Sequence, residues 1–275
     1  MIMIPSITYL NYNKPSNRVS FGTNCRKYLT PDNKKMETFT CLFRDDIDWI
    51  SFANYLDDNF KRKNKVNIIN PACSDGSESY TLIMSLKECL SDSSVKKFLP
   101  IKAYDIDKEI LNAANSGLLM IADSDFYYMN ESIEDITPYL RPELEKTLEI
   151  DLDQKKIPTK LWGVKDSIRE NVTFEEGDMF KLLDDLEDDS NTVFICRNVL
   201  GHLTNSEAKI FAMLASSKLK EGSLVLIGDY DKKCTRIATY MRENGFKEVL
   251  NNVYKRVTSK VEELPFKIIN GKVFY

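Results

Sequence analysis

The feature that most constrains this chain is a run of short, β-branched apolar segments, each followed by a stretch with helical spacing. Val66–Ala72 (VNIINPA) leads through Gly76 into a helical stretch reaching about Cys89. Ile101–Asp105 (IKAYD) precedes a helix from about Lys108 to Asn115, and Asn191–Cys196 (NTVFIC) precedes one from about Ser206 to Lys218. Ser223–Gly228 (SLVLIG) precedes a helix over Lys232–Asn244. A crossover helix returns the chain to the edge where the next strand can pair in parallel, and the helices then cover both faces of the sheet. The predicted class is therefore α/β, a doubly wound and mostly parallel sheet. Upstream, Ile47, Ile50, Phe52, Tyr55 and Leu56 predict a helix from Asp45 to about Lys61, with Asp45, Asp46 and Asp48 where a helix N-terminus favours acids.

The chain departs from this alternation in three places. Residues 1–35 are polar and without periodicity, and are expected to form an irregular arm ahead of one domain over 36–275. Phe246–Val257 and Pro265–Tyr275 read as strands, and Asn270–Gly271 is a type I′ turn signal, so an antiparallel hairpin is expected to close the sheet. Residues 117–170 or so exceed what a crossover needs. They carry Pro138, Pro142 and Pro158, a predicted helix over Arg141–Leu148, and extended pieces around Leu148–Leu152 and Leu161–Lys165. A small inserted subdomain is expected there, placed to contact something other than the ligand of the sheet.

Composition removes several classes. A net charge of −4 with scattered Lys and Arg lacks the basic stripe of a nucleic-acid binder, and the Asp184–Asp189 block (DDLEDD) reads as a solvated helix end or turn. No apolar stretch is long enough to span a membrane, and MIMIPSITYL lacks the pattern of a signal peptide. The 6 cysteines form no CxxC pair and His202 is the single histidine, so no metal site is expected. Reduced, mostly buried thiols in a cytoplasmic protein are expected instead.

In an open α/β sheet the ligand crevice lies beyond the carboxyl ends of the strands, where strand order reverses. The first core strand ends in Ala72-Cys73-Ser74-Asp75-Gly76-Ser77-Glu78, small residues with a glycine that permits a tight turn. The second ends in Asp105, an acceptor suited to ribose hydroxyls. No GxGxxG is present, which disfavours NAD and FAD.

Five blocks in order carry a resemblance. NPACSDGSESYTLIMSL resembles the cofactor loop of the CheR-type chemotaxis-receptor methyltransferases, with Cys73, Ser74, Gly76, Glu78 and Tyr80 matching. AYDIDKEILNAANSG (Ala103–Gly117), TFTCLFRDD (Thr38–Asp46), VKDSIRENVTFEEGDMF (Val164–Phe180) and FICRNVLGHLT (Phe194–Thr204) resemble its other blocks. The resemblance implies a Rossmann-like S-adenosylmethionine-dependent methyltransferase that releases S-adenosylhomocysteine and methylates glutamate carboxylates of a protein, such as a receptor-like helix. It assigns Thr40 and Arg44 to the methionine end of the cofactor, with Ala72, Cys73, Gly76, Glu78 and Asp105 around it. It assigns Asp178 and Met179 to the adenine, and Arg197 and Asn198 to the cofactor beside the reacting centre. His202 stands where the family has a Tyr near the transferred methyl, so Arg44, Arg197 and His202 are the catalytic candidates, and His202 is expected to be neutral beside a sulfonium. Where the family has an N-terminal helical domain, 37 residues precede Thr38 here and a short arm is expected. A methyltransferase for another substrate, and a non-catalytic cofactor-binding module, are the alternative readings.

Overall fold

The computed structural model describes residues 26–29, 35–38, 40–122, 126, 129, 132–143, 148–152, 155–186, 191–258, 264, 266–269 and 272–274. In chain order the strands are β1 (Arg26–Leu29), β2 (Lys35–Thr38), β3 (Asn67–Asn70), β4 (Ile101–Asp105), β5 (Leu118–Ala122), β6 (Leu140–Pro142), β7 (Leu148–Leu152), β8 (Lys155–Val164) and β9 (Val172–Glu176). They continue with β10 (Thr192–Ile195), β11 (Leu224–Leu226), β12 (Phe246–Leu250), β13 (Val253–Arg256), β14 (Lys267–Ile269) and β15 (Lys272–Phe274). The helices are α1 (Trp49–Asn59), α2 (Ser77–Cys89), α3 (Asp92–Val95), α4 (Lys108–Ser116), α5 (Asp166–Arg169), α6 (Met179–Asp184), α7 (Asn205–Lys218), α8 (Asp229–Cys234) and α9 (Ile237–Glu243).

Seven strands form the main sheet in the order β12-β13-β11-β10-β3-β4-β9. β3, β10 and β11 run parallel, as do β4 and β9, while β12 and β13 pair antiparallel. Strand order reverses at β3, where the chain proceeds to β4 and β9 and later resumes at β10. Ile68, Ile69, Val193, Phe194, Ile195, Leu224, Val225 and Leu226 are all buried, so both sheet faces are covered, as a parallel sheet requires. The α/β class and the doubly wound order expected from sequence are therefore present.

By its internal contacts the chain divides into two units, one holding residues 62–72 and 177–275, the other 13–61 and 73–176. In the second, α2 is buried from Ser77 to Leu86 except for Glu78. Its polar side chains are absorbed locally, because Thr81 Oγ1 donates to the Ser77 carbonyl at 2.8 Å and Ser85 Oγ to that of Thr81 at 2.9 Å. The insertion forms its own antiparallel sheet, with β5 on one edge of β8 and with β6 and β7 sharing the other. Tyr139 donates to the Glu88 carboxylate, which ties the insertion to the end of α2.

Several expectations are corrected. The arm before Thr38 is not irregular throughout, since β1 and β2 pair antiparallel; residues 1–25 lie outside the described ones. The first helix starts at Trp49 rather than Asp45, because the Asp48 side chain accepts from the Ser51 N–H at 2.9 Å and so sets its N-terminus. Where a helix was expected over Arg141–Leu148, the described residues at its two ends belong to β6 and β7, both paired with β8, and residues 144–147 lie outside the described ones. A strand that was not predicted, β9, is the third of the core. Lys232–Asn244 is two helices, α8 and α9, separated at Thr235, whose N–H still bonds the Asp231 carbonyl. Phe246–Val257 is itself a hairpin, and it is this hairpin, β12–β13, that closes the main sheet. The strands flanking Asn270–Gly271, β14 and β15, do pair antiparallel but as a separate two-stranded sheet; the turn residues lie outside the described ones. Cysteines are less buried than expected. Cys73 and Cys196 are buried, Cys41 and Cys89 are intermediate, Cys234 is exposed, and all five are free thiols.

Candidate functional site

The second unit holds Thr40, Arg44, the Cys73–Glu78 loop and Asp105. Gly76 ends the loop with φ of 85°, and a methyl group on it would lie 2.7 Å from the Phe174 ring. Glycine is thus needed for the turn and for a packed ring, and not only to let a ligand approach. Ser74, at φ of 52°, holds the same left-handed conformation without being a glycine.

Asp105 fastens this loop. Its Oδ2 accepts from the Ser74 N–H at 2.9 Å and its Oδ1 from the Asp107 N–H at 3.1 Å. Burial raises its pKa, opposed by those two donors and by the backbone N–H of Ile106. A carboxylate offers about four lone-pair sites, so these three donors leave room for a further hydrogen bond. Asp107, and not Asp105, caps α4, accepting from Glu109 and Ile110. Beside this carboxylate, Cys73 is a buried thiol pushed well above its ordinary range by burial and then by Asp105 and Asp75.

The Thr40–Arg44 element docks on the same helix. The Phe43 N–H donates to Thr81 Oγ1 at 3.0 Å in the interior, and the Arg44 carbonyl accepts from the Trp49 indole at 3.2 Å. Thr40 is buried and Arg44 is partly exposed. Glu78 lies in the first turn of α2, a position that also suits any acid.

The first unit holds the other candidates. Asp178 caps α6, its Oδ1 accepting from Phe180 and Lys181, each at 3.0 Å. Met179 is buried, and its sulfur accepts from the Cys196 thiol at 3.3 Å. Arg197 and Asn198 follow β10, and Asn198 has φ of 58°. His202 ends a short 3-10 turn and packs on Tyr230, with ring centroids 5.2 Å apart. Burial lowers its pKa, in the direction of the neutral ring expected from sequence. The residue that sequence reasoning missed is Asp231, fully buried, which accepts from the N–H groups of Asn198, Gly201 and Gly228. Within GDYDKK it reads as one more polar residue at a helix start, and only the tertiary structure sets it apart.

A doubly wound sheet with an acid ending its second core strand and a glycine turn after its first defines a nucleotide-type cofactor-binding α/β protein. A sequence model of the family described as CheR methyltransferase, SAM-binding domain, matches residues 38–233, and the chain belongs to that family. A chemotaxis protein methyltransferase of Borreliella burgdorferi (strain B31) is 28% identical over 166 residues, which are 60% of this chain and 51% of that protein. The chain thus spans about half the length of this curated relative. Among solved structures, monomeric WbdD is similar at a TM-score of 0.43 and 12% identity, covering 84% of this chain and 44% of that one. Human N-acetylserotonin methyltransferase in complex with SAM is similar at 0.38 and 12%, covering 78% and 58%.

The family's cofactor is S-adenosylmethionine, and the residues present fit it. The hydroxyls of Ser74, in the loop, and of Ser77, at the start of α2, are buried without a protein partner, and the acceptor capacity that Asp105 has left suits a ribose hydroxyl. Among the described residues, no group of three or more His, Cys, Asp or Glu is placed to hold a metal ion, and no helix is long and apolar enough to cross a membrane.

Proposed function

We propose that this chain is an S-adenosylmethionine-dependent methyltransferase that esterifies glutamate carboxylates of a protein in the cytoplasm. The observation that carries the reading is the Asp105 carboxylate, fixed by backbone donors beside the Ser74–Gly76 turn and with acceptor capacity left for a ligand. Asp105 would hold the ribose, and Ser74 and Ser77 would give their hydroxyls to the same ligand. Arg44 would pair with the carboxylate at the methionine end, beside Thr40. Asp178 and Met179 would take the adenine, while Arg197, Asn198 and His202 would face the acceptor. When bound, S-adenosylmethionine supplies a methyl group made electrophilic by its sulfonium.

The chain itself has little chemistry to perform. A glutamate acceptor with an unperturbed pKa of about 4.3 is already ionised at neutral pH, so no general base is required. Alignment and exclusion of water remain, and a neutral His202 adds no charge opposed to a sulfonium. The insertion over residues 117–170 or so is the proposed contact with the protein acceptor, a receptor-like helix in the case of a chemotaxis substrate. The five free thiols described agree with a reducing cytoplasm.

The test is to incubate the purified chain with methyl-tritiated S-adenosylmethionine and cell extract, and then expose labelled protein to alkali. Methyl esters release volatile methanol, whereas alkali-stable label would mean a different acceptor. Calorimetry that detects no binding of S-adenosylhomocysteine would remove the enzymatic reading altogether.

A further inference from the structure

The segment between β10 and α7 is closed at both ends by its own devices. The Cys196 N–H bonds the Leu226 carbonyl, and α7 begins with a reciprocal Thr204–Glu207 cap. Neither end requires anything further, yet α8 grips the residues between them. Asp231 Oδ2 accepts from the N–H groups of Asn198 and Gly228 and Oδ1 from that of Gly201, each at 2.7 Å. Arg197 supplies the opposite charge. Tyr230 packs on His202 with the two rings tilted by 47°, and lies so close to Gly201 that a methyl group there would be 2.5 Å from its ring. A methyl group on Gly228 would be 2.2 Å from Asn198 Oδ1. Burying a carboxylate is costly unless it is paired and fully bonded, so an Asp231 that takes two of its three backbone donors from this loop, and the third from Gly228 at the start of its own helix, indicates a defined loop conformation.

We propose that Tyr230 and Asp231 are positioning residues for methyl transfer, holding Arg197–His202 in the one conformation from which Asn198 and His202 act. This rests on the function proposed above. The clamp acts on loop geometry and not on the cofactor residues Asp105 or Arg44, so losing it should impair His202 while sparing cofactor affinity.

His202 is the single histidine of the chain, so its ring signals in NMR are unambiguous. They are to be followed against pH in the parent, in Asp231→Asn and in Gly201→Ala, with and without S-adenosylhomocysteine. Asp231→Asn turns an amide N–H toward the backbone donors. Gly201→Ala pushes on the Tyr230 ring, removes none of the groups that bond Asp231, and covers the case in which Asp231→Asn does not fold. The parent is expected to show one narrow set of signals titrating below the ordinary value of about 6.5. The variants are expected to show broadened or split signals and a midpoint moved toward that value, with S-adenosylhomocysteine affinity changed by less than about threefold. A folded variant that keeps the parent's line shapes and midpoint overturns the clamp. A parent that binds no S-adenosylhomocysteine sinks the proposed function instead, and the line shapes of the variants still decide whether the clamp exists.

Discussion

Asp105 and Asp107 lie two residues apart and hold different groups, which makes them a controlled pair. Asp107 accepts from Glu109 and Ile110 and so starts α4, while Asp105 ties β4 to Ser74. Asp105→Ala is expected to weaken S-adenosylhomocysteine binding by about 1–3 kcal/mol, the cost of leaving partly buried partners unpaired. Asp107→Ala is expected to lower stability by about 1 kcal/mol, a lost helix cap, with affinity kept within about twofold. Calorimetry and thermal melts on both variants separate the roles, and equal affinities in the two would refute the ribose assignment. Asp231 gives a pH signature. Burial pushes its carboxyl up to about 6, against the three N–H donors and Arg197. The folded chain therefore holds a proton there between about pH 6 and the ordinary aspartate value of about 3.9, which the unfolded chain has released. Its contribution to stability rises as pH falls through that window and is flat above it. Asp231→Asn cannot titrate, so the parent's advantage in melting temperature over this variant is expected to widen between neutral pH and pH 4.5 or so.

At the scale of elements, α2 organises the second unit, because its start shapes the cofactor loop and its next turn receives the Thr40–Arg44 element. Thr81 is the joint, accepting from Phe43 and donating to Ser77. Thr81→Val removes the acceptor of a buried N–H, so a loss of about 1–3 kcal/mol in stability is expected. A fall in cofactor affinity is expected with it, because Arg44 follows Phe43 directly; a variant that melts earlier but binds normally would detach this element from the site. Where pattern and structure agree, local spacing was enough. Ile101–Asp105 is strand β4 with the predicted bounds, and the helices after β3 and β4 fall where their apolar spacing puts them. The misses have tertiary causes. β9 has only Val172 fully inward among VTFEE and is held by its ladder with β4. The β12–β13 turn lacks a glycine and uses Asn252 at φ of 65° instead, so the Asn-Gly signal that marks a hairpin is missing there. β6 and β7 exist because β8 is there to pair with them. In the site, Asp105 and the loop were legible since both end strands, whereas Asp231 is defined by backbone N–H groups 30 and 33 residues away in sequence.

At the scale of the whole chain, the open issue is what the insertion is for. It is not a loop, since it has its own sheet and an interior that buries Met129, Ile133, Ile136 and Leu140. It enters and leaves the second unit through one ladder, with β5 and β8 paired from Leu118↔Gly163 to Ala122↔Thr159. That register allows a clean excision. Residues 123–158 can be replaced by a two-residue Asn-Gly turn joining Ala122 to Thr159, which turns β5 and β8 into a plain hairpin. The excision removes β6 and β7 together with the Tyr139–Glu88 tie, so some loss of thermal stability is expected. It leaves Thr40, Arg44, the Cys73–Glu78 loop and Asp105 with all their described bonds. If the insertion serves the protein acceptor, S-adenosylhomocysteine affinity should stay within about threefold while alkali-labile labelling of protein falls by more than about tenfold. The affinity measurement shows that the excised chain still folds its cofactor half, so a loss of labelling cannot be put down to unfolding. Labelling at the parental rate by a chain that binds normally would place acceptor recognition outside the insertion.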